Sequence, residues 1–137
     1  MVYSVLIFAY RKPGTTPEQF KAHYENSHVP LVRKLAGAHF PLAHTRRYIH
    51  RSQGQAESST ERNATTPASV LIGSQADFDY DAFAELVFKD ETAFQTFMGV
   101  MQKPENAAEV AADEEQFLDR SKMTVVLVGD TTTTTNE

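Results

Sequence analysis

In "VYSVLIFAY" the side chains alternate with the period of a strand. Val2, Leu6, Phe8 and Tyr10 fall on one face, and Tyr3, Val5, Ile7 and Ala9 on the other. A strand apolar on both faces is covered on both. After "KPG" the period becomes helical. Thr16 stands as N-cap, Pro17 as the first helical residue, and Gln19 completes a capping box. Phe20, Tyr24, Ser27, His28, Leu31 and Leu35 then share one face, and Gly37 marks the stop. Pro30 interrupts this run, because it lacks an N–H and disfavours helical geometry at Val29.

Residues 44–51 read as a second strand, with His44, Arg46, Tyr48 and His50 on one face and Thr45, Arg47, Ile49 and Arg51 on the other. Residues 52–69 are polar and aperiodic, which predicts a mobile loop. "VLIG" reads as a short strand and residues 80–88 as a further one. "DETAFQTFMGVMQ" predicts a helix with Phe94, Phe97, Met98 and Met101 as its stripe. A second helix over 106–119 carries Val110, Phe117 and Leu118 inward, and 123–128 is a last strand, apolar on both faces. Residues 131–137 read as a disordered tail.

The order β-α-β-β-α-(α)-β is that of a ferredoxin-like α+β domain, here a single one over residues 1–130. It places helices on one face of an antiparallel sheet and leaves the other bare. The two-sided first and last strands need cover there, and the chain has no spare element for it. A second copy, sheet against sheet, meets that need, so a homodimer is expected.

Composition narrows the function classes. The chain has 137 residues and a formal net charge of -5, which argues against a nucleic-acid partner. The basic cluster of Arg46, Arg47 and Arg51 is too short to reverse that. Cysteine is absent, which excludes disulfides, thiolate catalysis and cysteine-ligated metals. The apolar opening is too short to span a bilayer and lacks the pattern of a signal peptide. A cytoplasmic protein with no membrane partner is expected, in which the sequon at Asn63 has no meaning.

The candidate chemistry centres on His28. On the apolar stripe it points at the sheet, where desolvation favours the neutral ring that suits a general base. The structural alternative is a core histidine bonded to a carbonyl freed by Pro30. His44, Arg46 and Tyr48 either line a polar cavity or protect an edge strand. Glu114 falls inward, either paired or acting as an acid, or else solvated on a rotated helix. Phe94 and Phe97 are most simply core, and otherwise a pocket wall. His23 and His28, five apart, have the wrong spacing for one α-helical face, which speaks against a helical metal pair. No HExxH, Walker A or dinucleotide glycine pattern is present.

The segments "FAYRKPGTTPEQFKAHYENSHVPLVRKLAG", "FPLAHTRRYIHR", "VLIGSQADFDYDAFAELVFKD" and "DEEQFLD" resemble the EthD-domain family, above all its fungal members. The strongest pieces are His28-Val29-Pro30, the run from His44 to Tyr48 and the run Asp113-Glu114-Glu115. The resemblance implies a dimeric α+β barrel with a ligand cavity between sheet and helices. It also implies a small cofactor-free, metal-free enzyme of lyase type (decarboxylase, dehydratase or cyclase) acting on an aromatic or polyketide-like substrate. His28 would be its general acid or base. His44 and Tyr48 would orient or polarise the substrate, Arg46 would hold a carboxylate, and Tyr24, Phe94, Phe97 and Glu114 would complete the binding site. A non-catalytic dimeric binding protein, a monooxygenase and a haem enzyme of the same superfamily are the alternatives.

Overall fold

A computed structural model of the chain describes residues 2–54 and 61–137. Its elements are β1 (Tyr3–Ala9), α1 (Pro17–His23), a π-helical turn (Tyr24–His28), α2 (Val29–Ala36), β2 (Ala43–Tyr48), β3 (Ala82–Phe88), α3 (Glu91–Met101), α4 (Pro104–Glu114) and β4 (Thr124–Leu127). The strands form one antiparallel sheet in the order β2-β3-β1-β4.

The local signals act as their chemistry requires. Thr16 accepts from the Gln19 N–H at 3.1 Å, and the Gln19 side chain accepts from the Thr16 N–H at 2.9 Å. Asp90 caps α3 by accepting from the Ala93 N–H. Gly37 ends α2 with a φ of +55°, a region that disfavours a side chain.

The helices cover one face of the sheet in two clusters. Ala9, Ala82, Phe20, Tyr24, Phe117 and Leu118 form the first. Val5, Leu86, Phe88, Ala36 and Phe97 form the second, joined by Phe94, Met98 and Met101. The opposite face carries Leu6, Phe8 and Val126 in register, with Phe8 against Phe83 and Tyr80. Among the described residues no α-helix packs there. On β4, Val125, Val126 and Leu127 are each more than half exposed.

Several boundaries differ from the sequence expectation. β2 stops at Tyr48, because Ile49 and Arg51 turn to bond around Asp81. Residues 70–73 form no strand, and Leu71 is 94% exposed. α4 starts at Pro104 and ends at Glu114, so Phe117 and Leu118 reach the core from the turn behind it. Residues 55–60 of the expected loop lie outside the described residues. The remainder is tied to the body: Asn63 is buried and accepts from Arg11, and Arg62 pairs with Asp119. Residues 131–137 carry no regular structure and are exposed. Among the described residues no helix is long and apolar enough to cross a membrane.

Candidate active site

The helix does not break at Pro30. It widens first. The Val29 N–H bonds to the Tyr24 carbonyl, five residues back, in a π-helical turn. A proline ring would clash with the carbonyl four residues earlier in a regular α-helix. The wider turn moves that carbonyl aside, and α2 continues with Pro30 in its first turn. Such single turns recur at functional sites.

The turn has a consequence for the histidines. In an α-helix, residues five apart diverge by roughly 140°. In a π turn, closed by i→i+5 hydrogen bonds, they return to the same side. His23 and His28 therefore face the same carboxylate, so the spacing argument against a shared face, which assumed α geometry, does not hold. The carboxylate is Asp113, from the last turn of α4. His28 Nδ1 lies 2.9 Å from its Oδ2, His23 Nε2 lies 3.0 Å from its Oδ1, and the Ser27 hydroxyl donates to Oδ1 at 2.7 Å.

An ionised carboxylate only accepts, so His28 donates from Nδ1 and its Nε2 is left as the basic nitrogen. The ring packs between Phe117, at 5.1 Å, and Tyr24, at 5.7 Å. His28 and Asp113 side chains are both only 12% exposed. Burial pushes the Asp113 carboxyl up, but the hydrogen bonds from Ser27, His28 and His23 together outweigh it and hold the group below its usual value. The expected alternative for His28, a bond to a freed carbonyl, is not the arrangement found: Nδ1 is on a carboxylate.

The helix-facing side of β2 supplies the rest. His44, Arg46 and Tyr48 stand opposite Leu86, Ala84 and Ala82 of β3. The two alanines leave room for long polar side chains beneath the helices. His44 Nε2 lies 3.4 Å from the Tyr24 hydroxyl. Burial first, and then the positive charges of Arg46 and His28, lower the His44 pKa to about 4. The ring is neutral at pH 7 and accepts from the Tyr24 O–H. Burial raises the Tyr24 phenol, so it stays a donor.

Arg46 holds a carboxylate, but it is the protein's own. Glu25 accepts from Arg46 Nε at 2.6 Å and Nη2 at 2.9 Å, and from the Tyr48 hydroxyl at 2.5 Å. The Arg46 hydrogen bonds lower the Glu25 pKa against its partial burial. Burial and Glu25 together raise the Tyr48 phenol.

Tyr24, His28, His44, Arg46 and Tyr48 thus come together between the helices and the sheet. Phe94 and Phe97 do not join them. They pack on Tyr3 and Phe88 in the second core cluster, because α3 covers the far end of β1 and β3. Aromatic wall at the site comes from Phe20 and Phe117 instead. Glu114 bonds to Arg120 at 3.2 Å, and its neighbour Asp113 takes the position facing the histidines. Sequence reasoning missed Asp113, Glu25, His23 and Ser27. Asp113 lies three residues after Val110, on the same helical face, and that spacing was the available signal. Among the described residues no group of three or more His, Asp or Glu is placed to hold a metal ion.

The strand order and one-sided helix layer define a ferredoxin-like α+β domain, with a carboxylate-oriented histidine between its layers. Residues 12–121 match the EthD domain, and the chain belongs to that family. Among curated relatives, a protein named decarboxylase from Emericella nidulans is 27% identical over 121 residues, spanning 87% of this chain and 72% of the relative. Decarboxylase claH of Passalora fulva is 28% identical over 123 residues, spanning 87% and 71%. Among solved structures, an ethyl tert-butyl ether d (EthD) family protein from Bacillus halodurans superposes with a TM-score of 0.52 at 19% identity, covering 94% of this chain and 99% of that one. The Arabidopsis thaliana protein At3g17210 superposes with a TM-score of 0.53 at 16% identity, covering 97% and 99%. At those identities the two structures share the fold.

Proposed function

We propose that this protein is a small cofactor-free enzyme of lyase type acting on an aromatic or polyketide-like acid, with decarboxylation as its reaction. The observation that carries the reading is the Asp113–His28 pair. It directs one ring nitrogen to a buried carboxylate and leaves the other available for proton transfer beside two aromatic rings. The two fungal relatives named decarboxylase support the choice of reaction.

In that reaction the bond between the ring carbon and the carboxylate breaks, its electron pair is taken by a proton, and carbon dioxide leaves. Protonated at Nε2, His28 delivers that proton and regains one from solvent. Tyr24, whose hydroxyl rests on neutral His44 in the free site, turns its one O–H to a carbonyl or phenol of the substrate and polarises it. In the test, metal-chelated protein is assayed for carbon dioxide release from a panel of hydroxybenzoic and anthraquinone carboxylic acids. Release is expected from wild type and is expected to fall about 10²- to 10⁴-fold in His28→Gln. Release by His28→Gln at the wild-type rate rejects the assignment. Tight binding of an acid without release favours a carrier instead, a reading to which the self-satisfied Arg46–Glu25–Tyr48 group lends support.

The same reading includes a homodimer closed over the bare face of the sheet. Val126 is 52% exposed beside Leu6 and Phe8, and contiguous apolar surface of this kind marks an interface. Sedimentation equilibrium is expected to return twice the chain mass, and Val126→Glu to shift it toward one. A monomeric wild type sinks this part.

A further inference from the structure

Arg46 lies beside His44, bonding to its carbonyl, and Glu25 already occupies two of its donors. An incoming acid has to displace that carboxylate or find another cation. A second guanidinium faces the same space. A groove of about 320 Å³ runs between α2 and the start of β2, lined by Val29, Arg33, Phe40, Leu42, His44 and Arg46 among others. That volume is at the small-ligand end of the usual range. Arg33 lies over the Phe40 ring, 5.8 Å from its centre. It is exposed and, among the described residues, takes part in none of the ion pairs.

From this geometry we infer that the groove is where substrate binds on its way to His44 and Tyr24, and that Arg33 selects aromatic acids. A planar guanidinium matches a carboxylate with two parallel hydrogen bonds, and it stacks on an aromatic face. Phe40, Val29 and Leu42 offer apolar surface to the ring that bears the acid. His44 also lines the groove, and its ring is neutral at pH 7 and adds no competing positive charge. Arg33 sits at the rim of the site, so its contribution is to binding rather than to the chemical step: KM rises on its loss and kcat does not fall.

The inference rests on the proposed enzyme reading, but binding tests it separately. The probes are 2,4-dihydroxybenzoate and resorcinol, the same ring without the carboxylate, titrated into ¹⁵N-labelled protein. The acid is expected to bind more tightly than the phenol and to shift the amides of Val29, Arg33, Phe40 and Leu42. Arg33→Gln is expected to weaken the acid about tenfold and leave the phenol unchanged, with Arg33→Lys in between. Equal binding of acid and phenol overturns the inference, as does undiminished acid binding by Arg33→Gln. So does an absence of binding. Shifts confined to the distant basic cavity lined by Lys12, Arg62 and Lys122 overturn it as well. Arg33-dependent binding without carbon dioxide release leaves the inference standing and removes the enzyme. Release whose KM is indifferent to Arg33→Gln does the opposite.

Discussion

Asp113→Asn is expected to lower kcat about 10²- to 10⁴-fold while the protein stays folded. Asparagine has nearly the shape of aspartate but only one accepting oxygen. Asp113 now accepts three hydrogen bonds, from His23, Ser27 and His28. In the variant an amide N–H would point at one of those donors. His28 relieves that clash by keeping its one proton on Nε2 and none on Nδ1, so that delivering it would leave an imidazolate instead of a neutral ring. The defect is therefore one of tautomer, and substrate affinity should change little. The check is kcat and KM together with far-UV circular dichroism. A variant with wild-type kcat rejects the positioning role of Asp113.

The same site sets a pH dependence whose sign follows from the shifts. The folded Asp113 value is lowered, so its stabilisation is complete above the ordinary aspartate value, about 4, and is lost as pH falls through the folded value. His44 acts in a higher window. Its folded pKa is about 4 against 6.5 unfolded. Between those values the unfolded chain takes up a proton that the folded chain refuses, and stability falls as pH drops from about 6.5 toward 4.

Much of this architecture is local and was therefore legible. The alternation in β1, the Thr16 capping box and the helical stripe through Phe20, Tyr24 and His28 each rest on neighbours a few residues away. What escaped is through-space or depends on irregular backbone. Asp113 meets His28 across 85 positions and His23 across 90. The five-residue histidine spacing looks wrong until the turn before Pro30 is known to be π-helical. Nothing in the sequence around Glu25 singles it out, yet it pairs with Arg46 of β2. The polar run 61–69 has no periodicity to read, because its order comes from Arg11 and Arg51, in distant parts of the chain.

Asp81→Ala is expected to destabilise the fold by about 3–5 kcal/mol, more than any substitution at the site. Asp81 is 3% exposed and stands where three segments meet. Arg11 donates to it from the backbone at 2.8 Å and from Nη1 at 2.5 Å, and Arg51 donates from Nε at 3.1 Å. Both arginine side chains are buried. Burial lowers the Arg51 guanidinium, and the charge of Asp81 opposes that. Without the carboxylate, two guanidinium groups remain out of water and lose the anion they share; Arg11 keeps Thr15, Asn63 and Thr66 as neutral acceptors, and Arg51 keeps the carbonyls of Thr66, Phe78 and Tyr80 with the charge of Asp79 nearby. Asp81→Asn keeps an acceptor but not the charge and should cost less. By contrast, Glu115→Ala cuts an exposed pair with Arg120 and should cost under about 1 kcal/mol. Because Arg11 and Arg51 also hold Asn63 and Thr66, limited proteolysis of Asp81→Ala should cut first within residues 61–69, before the sheet gives way. Urea unfolding of the three variants checks the order. Equal midpoints for Asp81→Ala and Glu115→Ala mean that water reaches the arginines and that the network is not the anchor of this end of the sheet.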